Sequence, residues 1–135
     1  MNIYSYRTNA YKSCLEKLPK AKQEEAKQVF LEWARDGGIG SRRLNVDSDV
    51  ISVKIDGGGG NRALGVLIDC PKPNSLAVVW FFIGKHSDYE HLMKASRLET
   101  TISQIRARLP HYRREMANQG GLVKAKPKVG RIVGG

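Results

Sequence analysis

The chain has 135 residues, 41% of them hydrophobic, with 23 Lys+Arg against 13 Asp+Glu and a net charge of +10. That size suits one domain with an appendage, and the apolar content is enough for a packed core, which excludes wholesale disorder. No apolar run reaches the roughly 18 residues that span a bilayer, the first residues lack the apolar stretch of a secretory signal, and the positive balance points to an anionic partner.

The opening Ile3-Tyr4-Ser5-Tyr6-Arg7 suits a short strand. Tyr11, Cys14, Leu15 and Leu18 then share one helical face, as do Ala26, Val29, Phe30 and Trp33 further on. Leu18-Pro19 separates the two helices, with Pro19 placed to open the second. Gly37-Gly38 ends it. A helical hairpin with one apolar face needs a sheet to cover.

Val50 to Ile55 reads as a strand with Ile51, Val53 and Ile55 on one face and Ser52 and Lys54 on the other. Asp56-Gly57-Gly58-Gly59-Gly60-Asn61 is a turn. It lacks the Lys-Ser/Thr of a P-loop and joins two strands, so it is not a nucleotide loop. Arg62 to Cys70 is the next strand, and Pro71-Lys72-Pro73-Asn74 turns again. Leu76 to Ile83 is almost wholly apolar, as for a central strand buried on both faces. The short connections make these three strands an antiparallel meander.

Beyond Gly84 the pattern is helical. Leu98, Ile102, Ile105, Leu109, Tyr112 and Met116 form a heptad seam, which Pro110 should kink near Leu109. The seam fits either a helix packed along the body or a contact with a second copy (a homodimer) or a partner protein. Residues 92–135 hold ten basic and two acidic side chains, so +8 of the net +10 lies there. The fold expected is α+β in three parts. A strand, helical hairpin and meander domain spans 1–91, a basic helical extension 92–119, and a flexible Gly/Lys-rich tail 120–135.

Cys14 and Cys70 form neither a disulfide framework nor a metal spacing and read as small, reduced, buried hydrophobes in a cytoplasmic protein. His86, His91 and His111 have no zinc-ligand spacing. No metal or other cofactor is expected. No Gly-x-Ser-x-Gly occurs, so acyl-transfer chemistry has no support. Lys85, His86 and Tyr89 follow the last strand directly, on a rigid platform that reaches solvent. Lys54 and Arg62 flank the glycine turn and can meet across the hairpin. Two cations face to face are unfavourable unless an anion such as phosphate sits between them. Arg106, Arg108, Arg113 and Arg114, interleaved with Tyr112, form a basic helical cluster, either a solvated flank or a contact for RNA or an acidic protein.

Three phrases carry a resemblance: Leu15-Glu16-Lys17-Leu18-Pro19-Lys20, then Ile51-Ser52-Val53-Lys54-Ile55 through Asn61-Arg62-Ala63-Leu64, and Trp80-Phe81-Phe82-Ile83-Gly84-Lys85-His86-Ser87-Asp88-Tyr89-Glu90. In this order, over about residues 3–93, the chain resembles the RelE/ParE superfamily of bacterial toxin–antitoxin toxins. The last phrase looks like the RelE, HigB and YafQ side, whose members are mRNA endoribonucleases, many of them working on the ribosome. The gyrase-poisoning ParE side is the alternative, as is a non-catalytic RNA- or protein-binding module. The resemblance implies a metal-independent mRNA interferase that inhibits translation and is neutralised by a bound antitoxin. By that likeness His86 is the general acid or base, and Arg62 holds the scissile phosphate. Lys54 stabilises charge or serves as base, and Tyr89 stacks on or orients the substrate. Lys85 and Arg43 are secondary RNA-binding contacts, while for the helical cluster around Arg106, whose RNA contact is read from its charge, the resemblance implies no role.

Overall fold

A computed structural model of the chain describes residues 2–36, 42–43, 49–55, 60–69, 73–94, 96–118 and 123–124. Strand β1 (Asn2–Arg7) leads into helix α1 (Asn9–Glu16) and the longer α2 (Lys20–Arg35). The two-residue strand β2 (Arg42–Arg43) precedes β3 (Val50–Lys54), β4 (Arg62–Ile68) and β5 (Ser75–Gly84). Helices α3 (His86–Lys94), α4 (Arg97–Ala107) and α5 (Leu109–Ala117) follow, and β6 (Val123–Lys124) closes the order.

Local chemistry sets the joints. Thr8 caps α1, its Oγ1 accepting from the Tyr11 N–H at 3.1 Å, while its own N–H and hydroxyl both donate to the Trp80 carbonyl. That residue therefore clamps the start of the hairpin to β5. Pro19 lies just before α2 rather than inside it, and its carbonyl accepts the N–H groups of Lys22 and Gln23. Near Pro110 the last helix divides at Arg108 into α4 and α5, with the proline in the first turn of α5, where its missing N–H costs nothing.

The sheet order is β2-β3-β4-β5-β1-β6. Strands β3, β4 and β5 form the expected antiparallel meander. Strand β1 lies outside it, parallel to β5, from Asn2 opposite Ser75 to Arg7 opposite Trp80. The route from β1 to β5 is thus a crossover, and it carries the helical hairpin onto one face. Within residues 120–135, Val123 and Lys124 pair with Ile3 and Asn2. The rest of that tail, Cys70 and the glycines at 57–59 lie outside the described residues.

Alternation along the strands splits the core in two. Ile3, Ile51, Val53, Ile55, Ala63, Val78, Trp80 and Ile83 face the hairpin and meet Tyr11, Ala26, Trp33 and Ala34. Cys14 packs at this layer's margin, half-buried rather than fully enclosed. Tyr4, Val50, Leu64, Val66, Ala77, Val79 and Phe81 face the other way and meet Leu98, Ile102, Ile105, Tyr112 and Met116 of α4 and α5. The heptad seam is thus turned onto the chain's own sheet. Strand β5 is the middle of the sandwich, with side chains in both layers, which explains its unbroken apolar run.

Candidate functional site

The strands carry the site to one end of the sheet. Register places Lys54 directly opposite Arg62, and Arg62 directly opposite Gly84. Lys85 and His86 follow at once, so three strand ends deliver Lys54, Arg62, Lys85 and His86 to one rim. Lys54, Lys85 and His86 are exposed, and Arg62 and Tyr89 are half-buried. Among the described residues neither Lys54 nor Arg62 has a carboxylate within ion-pair distance. Cross-strand neighbours of like charge that lack an ion-paired carboxylate among the described residues are the arrangement expected of an anion seat.

Aromatic contacts join the row to α3. The Arg62 guanidinium lies over the Tyr89 ring at 5.8 Å from its centroid. Tyr89 in turn stacks on His86, with centroids 5.7 Å apart and an interplanar angle of 23°. His86 Nε2 sits 3.0 Å from Glu90 Oε1 one helical turn on. Glu90 was not singled out in the sequence, although its spacing from His86 is the signal that would have found it. Gly60 brings the β3–β4 turn against the same helix start: a Cβ there would sit 3.2 Å from the His86 Cβ. The glycine lets two segments approach where a side chain would push His86 away.

Beside this row runs a groove of about 290 Å³ between the last turn of α2 and the edge of β3. Val29, Glu32, Trp33 and Asp36 line one wall, and Ser52, Val53, Lys54 and Arg62 the other. Ser52 is 3% exposed, and its Oγ has no hydrogen-bond partner among the described residues. None of Glu32, Asp36 or Ser52 was legible as a site residue, because α2 and β3 meet only in the folded chain.

The helical arginines are distributed differently. Arg106 pairs with Asp49 at 3.2 Å, and Arg113 approaches Asp69 at 3.8 Å. Asp49 precedes β3 and Asp69 follows β4, so both pairs sit at the end of the sheet away from Arg62. Along β4 that separation is about 20 Å. Arg108 lies over the Tyr112 ring at 5.8 Å, and Arg114 is exposed. The four therefore do not join the rim as one patch. Arg43 belongs to β2, opposite Ile51, and its side chain lies outside the described residues. Among the described residues no three His, Cys, Asp or Glu side chains gather at metal-binding distance, and no helix is long and apolar enough to cross a membrane.

No family model and no curated protein matches the chain. Among solved structures it is similar to a chain in the crystal structure of the toxin–antitoxin complex RelBE2 from Mycobacterium tuberculosis. The match has a TM-score of 0.50 and 16% identity, and covers 63% of this chain and 99% of that one. Identity this low bears on architecture alone, and the architecture agrees with the strand, hairpin and meander order laid out above. The chain has the RelE-like fold.

Proposed function

We propose that the protein is the toxin of a toxin–antitoxin pair and that it cleaves messenger RNA at the Lys54–Arg62 rim, in the cytoplasm and on the ribosome. The observation that carries the reading is the pair of cations, Lys54 and Arg62, set opposite each other beside a histidine and a tyrosine. A scissile phosphate between Lys54 and Arg62 relieves their repulsion. The same charges then stabilise the added negative charge of a phosphorane-like transition state. A base takes the 2′-hydroxyl proton, O2′ attacks phosphorus, the P–O5′ bond breaks, and an acid returns a proton to O5′. The products are a 2′,3′-cyclic phosphate and a 5′-hydroxyl.

His86 is one proton-transfer group and Lys54 the other. With Nε2 held by Glu90, the ring is oriented and Nδ1 is the nitrogen left for substrate. Tyr89, braced between His86 and Arg62, offers a face on which a base stacks. Lys85 adds a phosphate contact at the same rim. The partner that silences the site is a cognate antitoxin.

Inducible expression of wild type, His86→Ala and Arg62→Ala in bacteria, with 5′-end mapping of cellular mRNA, tests the reading. New message ends with wild type alone support it. Growth arrest and DNA damage without new ends would move the function to gyrase inhibition. Strong, salt-sensitive RNA binding without cleavage would make the chain a binding module.

A further inference from the structure

We propose that Glu90 is a positioning residue of the cleavage site, and that through its hold on Nε2 His86 is the base, acting at Nδ1, with Lys54 the acid. The inference rests on the ribonuclease reading above and assigns the two proton transfers within it. The likeness noted above gives Lys54 as a charge stabiliser or base; here it donates.

The His86 ring is constrained from several sides. Its Nε2 lies 3.0 Å from Glu90 Oε1, one helical turn on. Its face stacks on Tyr89, with 5.7 Å between centroids and 23° between planes. Tyr89 in turn carries the Arg62 guanidinium, 5.8 Å from its centroid. At Gly60 the β3–β4 turn comes so close that a Cβ would lie 3.2 Å from the His86 Cβ. An ionised carboxylate only accepts hydrogen bonds, so the ring nitrogen facing it carries the hydrogen. In the neutral ring the other nitrogen, Nδ1, then has the free lone pair.

The neighbours of His86 cannot take a proton. Lys54, Arg62 and Lys85 are cations, and ammonium and guanidinium groups donate without accepting. Nδ1 of His86 is the acceptor they leave. The transfers then balance. The 2′-hydroxyl proton passes to Nδ1 as the O2′–P bond forms, and the P–O5′ bond breaks as Lys54 Nζ gives a proton to O5′. The ring becomes an imidazolium with its Nε2–H still on Glu90, and the carboxylate stabilises that charge. The His86 and Glu90 side chains are 50% and 53% exposed. An exposed pair adds little to folding, so the loss of Glu90 is read in rate rather than in stability.

The test uses the purified full chain in a reconstituted translation system. The probe is a message whose leaving 5′ atom at one mapped cut is either oxygen or sulfur. A thiolate leaves without an acid, so sulfur removes the need for a proton donor and keeps the need for a base. Single-turnover rates at saturating protein separate the chemical step from binding. With oxygen, Glu90→Ala should be about 10-fold slower than wild type, and His86→Ala about 100-fold or more. Glu90→Gln keeps an acceptor oxygen toward Nε2 and should recover most of the Glu90→Ala loss. With sulfur, Lys54→Gln should regain most of its rate relative to wild type, while His86→Ala and Glu90→Ala stay as slow. Alanine suits an exposed helix face, so the urea midpoint of Glu90→Ala should match wild type.

Several results overturn the inference while leaving the ribonuclease reading intact. Sulfur that restores His86→Ala would make His86 the acid. A Glu90→Ala variant as fast as wild type would leave Glu90 without a role in the reaction. A Glu90→Gln variant as slow as Glu90→Ala would show that holding Nε2 is not what matters, and a lowered midpoint that accounts for the slower rate would make Glu90 structural. Absence of any wild-type cleavage of the oxygen message overturns the ribonuclease reading, and the assignment with it.

Discussion

Replacing Lys54 by glutamine should make the protein slightly more stable while it loses function. Lys54 and Arg62 are direct cross-strand partners on the meander, where like charges cost about 0.2–1 kcal/mol. At a charge separation of about 6 Å in a water-like dielectric, Coulomb's law gives about 0.7 kcal/mol. Lys54 is exposed, so screening and side-chain freedom place the expected gain toward the lower end, about 0.2–0.7 kcal/mol. With a urea slope of about 1–3 kcal/mol/M, the unfolding midpoint rises by a few tenths of a molar unit. The assay is urea unfolding followed by circular dichroism at about 20 mM and about 0.5 M salt. The gain should be present at low salt and shrink at high salt as the Debye length falls. Added sulfate should stabilise wild type more than Lys54→Gln, because an ion that binds only the folded chain shifts the equilibrium by mass action. A variant that is less stable at both salt concentrations would refute the reasoning. Lys54 would then be a structural residue with a favourable partner.

Other outcomes follow from packing and ionisation. Gly65→Ala should cost about 1–3 kcal/mol, because its Cβ would lie 2.6 Å from Val78 Cγ2 and 2.8 Å from Trp80 Cε3, both in the buried core. An unchanged urea midpoint would show that β4 shifts freely against β5. Ile102→Ala should cost about 2–5 kcal/mol, since Ile102 is 4% exposed and packs with the sheet. A loss under 1 kcal/mol would mean that α4 is loosely attached. The Tyr11 phenol is held above its ordinary value of 10.0 chiefly by burial, against the lowering influence of Arg7. Its contribution is therefore complete below about pH 10 and is lost as pH rises through the higher folded value. Unfolding midpoints taken from pH 9 to 12 should fall more steeply for wild type than for Tyr11→Phe, and equal slopes would contradict this.

Much of the architecture could be read from local patterns. Period-two alternation at Ile51, Val53 and Ile55 assigns their face correctly, and the unbroken run through Trp80 and Phe81 marks the strand buried on both sides. The Lys54–Arg62 juxtaposition was legible because a short connection leaves a hairpin few registers. Long-range features were not. Nothing within Asn2–Arg7 says that it pairs parallel to β5, since parallel pairing needs a crossover and carries no turn signal. The heptad seam of α4 and α5 is ambiguous by itself, because a sheet and a second helix demand the same apolar stripe. The helical arginines look like one basic cluster in the sequence. Their partners, Asp49 and Asp69, are 57 and 44 residues away along the chain, and only the fold brings them close. The groove beyond Lys54 needs the end of α2 to be set against the edge of β3, so Glu32 and Ser52 gave no signal.

The central claim is that the rim cleaves RNA through its own 2′-hydroxyl, with Arg62 on the phosphate. The chemistry of the new termini tests this most directly, using messages recovered after expression of wild type and of folded Arg62→Ala. The account predicts 5′-hydroxyl and 2′,3′-cyclic phosphate ends with wild type, and no such ends with Arg62→Ala. Ends bearing a 5′-phosphate and a 3′-hydroxyl, or the same ends from both proteins, would contradict it.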